Sequence, residues 1–312
     1  MSHLPRLLKD EGFDVVDFEV NHKAYQVLGN NPFIDNLIHF NPYTLKNGQE
    51  LRDHWDEIAK GYDKFINLYG SLEYGCIAME DDATYDLPDE ERRALLGETN
   101  FYDQTTAWAG YPERCGKYKP ELFFAPQEIA ITENWLEQFK GKFTFLINLA
   151  GTSKHKRFVQ AKEVTHRILN KYSDAEVILT GDNPELEFQG DRITSIVGKK
   201  PFMQAVLISK YVDCVICMES GLGVGANVWS TPTIFLLTSS SPTNVTKYAY
   251  NDLFIQSPAH CSPCHKGPYE YRGCEMKDGL PICVNFKVEE IMGRVEEAYQ
   301  LYLIKKEAVC AS

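Results

Sequence analysis

Apolar residues in this chain fall in short unbroken runs separated by turns and by helical stripes. Phe143 to Ala150, Ala175 to Thr180, Cys214 to Met218 and Thr233 to Leu237 are apolar on both faces, which predicts buried strands. Helical stretches follow, from Val159 to about Asn170 and over the small residues after Gly221. Strands alternating with helices predict an α/β fold. Nearer the amino terminus, Phe13 to Val20 alternates like a strand, Asn36 to Phe40 resembles another, and Phe65 to Gly70 reads as a strand entering a turn. Glu80 to Glu98 reads as a loop and a short solvated helix. Pro126 to Lys142, with Ile129, Ile131, Trp135 and Phe139, predicts a linking helix. A last helix, capped by Asn285, carries the stripe Val288, Ile291, Met292, Val295, Tyr299, Tyr302, Leu303.

The candidate chemistry lies in the turns after these strands, because open α/β sheets bind ligands at their carboxyl ends. Glu219-Ser220-Gly221-Leu222-Gly223 follows one strand and opens a helix, whose amide end favours an anion. An ordinary βα turn, with glycines chosen for compactness, is the alternative. A second turn, Gly151-Thr152-Ser153-Lys154-His155-Lys156-Arg157, supplies backbone and hydroxyl donors, with Lys156 as a mobile charge for phosphate oxygens. A solvated basic loop is the alternative there, and the Walker spacing is absent. A third turn, Gly181-Asp182-Asn183-Pro184-Glu185, places acidic groups where ribose hydroxyls are often held.

This order of motifs resembles the donor half of GT-B glycosyltransferases, and in particular glycosyltransferase family 9, the ADP-heptose:lipopolysaccharide heptosyltransferases, over residues 140–295. The resemblance implies two Rossmann-like domains facing a cleft. Thr152, Ser153 and Lys156 match positions that contact the donor diphosphate, Glu185 a nucleoside contact, and Glu219-Ser220-Gly221-Leu222 a turn facing sugar and phosphates. Glu219 stands where the family has Asp, and Val224 where it has His. Glu73 falls where many relatives place a Lys facing the acceptor, or it merely caps a helix. The resemblance implies a catalytic carboxylate on a Gly-Asp turn after a first strand that would precede Met1, so Met1 reads as an internal methionine, and a chain that begins there is expected to lack that strand. Glu73 and His3 are weak substitutes as base.

At 312 residues the length suggests two domains. The resemblance and the pattern together give 1–125 as the acceptor-side domain and 126–295 as the donor-binding domain with a Cys-rich loop at 259–284. Residues 296–312 would then form a terminal helix packing back on the first domain. A net charge of −12 argues against non-specific nucleic-acid binding. No apolar run reaches the length of a membrane span and no signal peptide is evident, which points to the cytoplasm, with peripheral contact at a membrane surface still open. The sequon Asn244-Val245-Thr246 then has no consequence.

The cysteines divide in two groups. Cys214 and Cys217 lie three apart in a strand, point to opposite faces, and read as core. Cys76, Cys115 and Cys310 are isolated. Cys261, Cys264, Cys274 and Cys283 sit in a Pro/Gly-rich loop that needs a staple, and four thiolates can hold a tetrahedral zinc or iron. Disulfides or free thiols are the alternatives, and His265 could stand in as a ligand or face solvent. A similar segment occurs in family 9, and in one branch it binds iron. The expected activity is inverting, metal-independent transfer of a heptose or similar hexose from a nucleotide-diphosphate donor, ADP-heptose-like, to a hydroxyl on a glycan, lipid-linked or protein acceptor. A noncatalytic sugar-nucleotide binding protein and a nucleotide-sugar epimerase are the rivals.

Overall fold

The computed structural model describes residues 1–41, 44, 45, 47–251, 253–267 and 272–310. The side chain of Cys310 and residues 311–312 of the terminal segment lie outside the described part. Up to Ala125 the elements are α1 (Leu4–Asp10), β1 (Asp17–Val20), α2 (His22–Leu28), β2 (Asn36–His39), α3 (Gly48–Ala59), α4 (Asp89–Leu96) and α5 (Phe101–Trp108). Next come α6 (Pro126–Leu136), β3 (Phe143–Asn148), α7 (Ala161–Lys171), β4 (Ala175–Thr180), β5 (Ile193–Ser195) and α8 (Phe202–Ile208). The chain continues with β6 (Cys214–Met218), α9 (Gly221–Val228), β7 (Thr233–Leu237), α10 (Pro242–Thr246) and β8 (Phe254–Gln256). It ends with β9 (Met276–Lys277), β10 (Leu280–Pro281) and α11 (Val288–Cys310).

Contacts divide the chain into two compact units. One comprises Met1–Ser71 with Tyr102–Ala125, the other Leu72–Phe101 with Pro126–Ser312. In the first, β1 and β2 pair in parallel from Asp17↔Asn36 to Val20↔His39. Asn21 and Asn47 cap α2 and α3 by accepting from backbone amides. Leu4 and Leu7 of α1 bury against Ala109 and Tyr111. Phe65 to Gly70 forms no strand. Ile66 and Leu68 pack on that cluster, and the Trp108 indole donates to the Asn67 carbonyl at 3.0 Å, so side chains hold the segment in place of a ladder.

The second unit is built on a parallel six-stranded sheet in the order β5-β4-β3-β6-β7-β8. Every residue of β3, β6 and β7 is buried, which explains their unbroken apolar runs. β3 stops at Asn148, earlier than its apolar run, where the Asn148 carboxamide accepts from the Ala150 amide at 3.2 Å and starts the turn. Cys214 and Cys217 are fully buried core residues, as expected. A Cβ on Gly223 would lie 2.6 Å from Cys217 Sγ and 2.4 Å from Phe235 Cε1, so α9 approaches the sheet only with glycine there.

Residues 72–101, placed by sequence in the amino-terminal domain, fold with this second unit. Ala78 bridges to Lys266: its amide donates to the His265 carbonyl at 2.7 Å and its carbonyl accepts from Gly267 at 2.9 Å. α4 is solvated as expected at five of its eight residues, but it turns Arg92 and Leu96 inward. Arg92, 1% exposed, donates to the carbonyls of Cys264 (2.5 Å), Tyr85 (3.1 Å) and Leu87 (2.5 Å) and pairs with Asp89. Asn244 is fully buried, donating to Leu96 and Thr99 carbonyls at 2.9 and 2.7 Å, so the sequon is closed off.

α11 buries Ile291, Val295, Ala298 and Tyr302 in the second unit's core, with Tyr302 stacked 4.8 Å from Phe143 and Tyr299 4.5 Å from Tyr172. The stretch from 296, expected on the first domain, thus packs on β3 and α7. Asn285 does not cap this helix. Its amide donates to the Ile282 carbonyl at 3.2 Å, three residues before the helix starts.

Candidate functional site

β3 and β6 are neighbours at the centre of the sheet, and the strand order runs outward in both directions from them. Chain connections diverge at such a point and leave a crevice beyond the carboxyl ends of the strands. The two turns singled out by sequence, after Asn148 and after Met218, therefore emerge side by side.

The first of them is a closed loop. The Gly151 amide donates to the Lys156 carbonyl at 2.9 Å, and Ala150 bridges Arg157. A Cβ at Gly151 would lie 2.9 Å from Lys156 Cβ, so glycine lets the Lys156 stem lie across the loop. Lys156 forms no ion pair among the described residues. His155, 4% exposed, turns the other way, with Nε2 3.5 Å from Cys274 Sγ.

A cavity of about 510 Å³ opens beside this loop, within the range of small-ligand sites. Thr152, Ser153, Lys154 and Arg157 form one side, Asn183 and Leu186 a second, and Asp278, Gly279 and Leu280 a third. Of the residues matched to donor-contacting positions, only Thr152 and Ser153 line it. Lys156, Glu185 and the 219–222 turn do not. Glu185 is exposed on the turn after β4, where its amide donates to Asn183 Oδ1 at 2.9 Å. Asn183 was visible only as part of that turn. Asp278-Gly279 carries a hairpin signal, within a segment read only for its cysteines.

The second turn departs from expectation in a way that matters. Glu219, 5% exposed, points into the protein and accepts from Ser239 Oγ at 2.6 Å and Thr238 Oγ1 at 3.3 Å. It also accepts from the amides of Thr238 (3.4 Å), Ser239 (3.3 Å) and Ser240 (3.1 Å). The carboxylate thus reaches the end of the adjacent strand β7 and fastens the loop there. Leu222 is 1% exposed, so its side chain is core and only its amide can face the crevice. Ser220 is the N-cap of α9 yet makes no side-chain cap bond, and its buried hydroxyl lies beside the Cys217 thiol. The Ser153 hydroxyl is buried and unpartnered. Unsatisfied donors at a helix start, with these two buried hydroxyls and the cations of the neighbouring loop, make an arrangement suited to an oxyanion.

The suggested bases and metal ligands fare differently. His3 is fully buried, its Nε2 2.9 Å from Thr106 Oγ1, and burial lowers its pKa to about 3; it is a core residue. Glu73 is exposed on the turn-rich segment before Ala78. The thiols of Cys261, Cys264, Cys274 and Cys283 feel one another electrostatically. Among the described residues, however, no three His, Cys, Asp or Glu side chains are placed to hold a metal ion. The cage expected from spacing is not formed. Burial instead favours protonated thiols, raising Cys264 to about 11 and Cys283 still higher. His265 does not face solvent: it is 2% exposed, with both ring nitrogens unpartnered and its pKa lowered by burial to about 4. No helix among the described residues is long and apolar enough to cross a membrane.

No protein-family model matches the sequence. No curated protein matches it either. Solved structures do match in fold. A glycosyl transferase of family 9 from Veillonella parvula superposes with a TM-score of 0.60 at 14% identity, over 95% of this chain and 92% of the other. The E. coli ADP-heptose lps heptosyltransferase II gives 0.60 at 14% identity, over 98% and 95%. The iron-containing dodecameric glycosyltransferase TibC from enterotoxigenic E. coli gives 0.52 at 13%, over 91% of this chain and 68% of that one. The chain has the α/β fold of the GT-B glycosyltransferases of family 9, as its motifs led us to expect.

Proposed function

We propose that this chain is a glycosyltransferase that uses a nucleotide-diphosphate sugar. One observation carries the reading: at the switch point between β3 and β6, two adjacent turns offer buried hydroxyls, Ser153 and Ser220, beside the cations of one turn and the helix start of the other. Thr152, Ser153, Lys156 and the amides of Ser220, Gly221 and Leu222 would hold the diphosphate, and Glu185 would contact the nucleoside. Glu219 would act indirectly, by fixing the loop beside the turn.

In the reaction proposed, an acceptor hydroxyl attacks the anomeric carbon as the bond to the diphosphate breaks, with inversion. Negative charge grows on the departing diphosphate, where Lys156 and the α9 amides meet it. A helix end contributes roughly 0.3–2 kcal/mol, so the lysine is assigned the larger share. Glu73 is the candidate to take the acceptor proton, on the strength of its sequence position. The four-thiol loop is given no part in the chemistry. A heptose or similar hexose on ADP is the donor suggested by the names of the fold's neighbours, with a glycan, a lipid-linked sugar or a protein as acceptor. The reading includes a cytoplasmic location.

Calorimetry with ADP, UDP, GDP and CDP, followed by incubation of the matching sugar nucleotide with candidate acceptors, tests the proposal. Binding of one nucleoside diphosphate and acceptor-dependent release of it are expected. Absence of binding by all four would end the reading, and binding without transfer would favour a noncatalytic sugar-nucleotide protein.

A further inference from the structure

The donor cavity has a wall that none of the donor motifs accounts for. β9 and β10 pair as a two-residue hairpin, Leu280↔Lys277 and Pro281↔Met276, and its turn lines the cavity with Asp278, Gly279 and Leu280. Both turn residues have left-handed φ, +51° at Asp278 and +76° at Gly279, the pattern of a type I′ turn. The hairpin is anchored. The Ile282 amide donates to the Glu275 carbonyl at 3.0 Å, Leu280 packs on the core, and Cys274 just before it lies 3.5 Å from His155 of the opposing loop.

Asp278 is the one carboxylate among the described residues lining the cavity, which Ser153, Lys154 and Arg157 line as well. A carboxylate only accepts hydrogen bonds, so it repels a phosphate and selects neutral donors. In a nucleoside diphosphate the diphosphate suits the cationic side, and the ribose hydroxyls are the paired donors left for the acidic one.

We infer that Asp278 is a specificity-determining residue that accepts the 2′- and 3′-hydroxyls of a ribonucleoside diphosphate, with Leu186 and Leu280 beside the rest of the nucleoside. This rests on the donor reading above. It gives the Cys-rich loop a purpose: to carry the hairpin that completes the donor cavity.

The test compares the whole native chain with Asp278→Gly and Asp278→Asn, both of which tolerate left-handed φ and leave the turn intact. The probes are the best-bound ribonucleoside diphosphate, its 2′,3′-dideoxy form and inorganic pyrophosphate. The native protein should prefer the ribo form by about tenfold or more, as expected for hydrogen bonds to a charged group. Asp278→Gly should abolish that preference and leave pyrophosphate affinity unchanged, with Asp278→Asn in between. An undiminished preference in Asp278→Gly overturns the role of Asp278 while leaving the donor reading standing. If no ribonucleoside diphosphate binds the native chain, the donor reading itself fails and this inference with it.

Discussion

The Ser239 hydroxyl donates to the Glu219 carboxylate at 2.6 Å and so ties the turn after β6 to the loop after β7. Five donors converge on this buried group, three amides and two hydroxyls. Glu219→Gln keeps the size but turns an NH₂ group toward donors that need an acceptor. We expect a loss of about 1–3 kcal/mol, seen as a lower urea midpoint. Glu219→Asp keeps the charge but is one methylene shorter, and should recover only part. An unchanged midpoint for Glu219→Gln would show that the cluster is not stabilising.

Lys156→Ala should lower transfer turnover by at least about tenfold, equivalent to ~1.4 kcal/mol in the barrier. Single-turnover kinetics with saturating donor separate this from weaker binding. A native rate would take Lys156 out of the chemistry and leave the charge to Arg157 and the α9 amides.

Arg92 is buried under carbonyls from two distant parts of the chain, Tyr85 and Leu87 on one side and Cys264 on the other. Arg92→Met fills similar space and strands all three carbonyls. Stability should drop by about 3 kcal/mol or more. Amide exchange should rise together in residues 85–97 and 260–267. Faster exchange confined to one segment would mean that Arg92 does not link them.

His3 gives a pH dependence whose sign is fixed by burial. Its pKa is about 3 when folded against 6.5 as reference, so the folded chain keeps it neutral where the unfolded chain protonates it. Its contribution is fully present above pH 6.5 and is lost as pH falls toward 3. The slope is up to about 1.4 kcal/mol per pH unit. Denaturant melts at pH 7.5 and 5 should show this loss, and His3→Asn should reduce it. Equal losses in both proteins would rule His3 out as a source.

The sheet was readable because its central strands are apolar on both faces: β4, β6 and β7 begin and end where their runs do. β5 and β8 escaped because three residues at a sheet edge leave no pattern. The two binding turns were legible by type, but not the direction of a side chain. Glu219 turns inward because the donors that satisfy it come from residues 238–240, about twenty positions on. Asp278 went unnoticed because its neighbours in space, Ser153 and Arg157, are far away in sequence. Residues 72–101 were misplaced for the same reason. Arg92 looks solvated in a run of charges until the carbonyl of Cys264 is seen above it.

That excursion has a consequence for how the protein is made. Residues 72–101 leave the ribosome long before the stretch at 264–267 that covers Arg92 and Ala78, so they must wait with their eventual partners still untranslated. Neither unit is a contiguous length of chain. No single proteolytic cut or gene truncation can release either half intact, and an assembly delayed until late in synthesis is the kind that leans on chaperones.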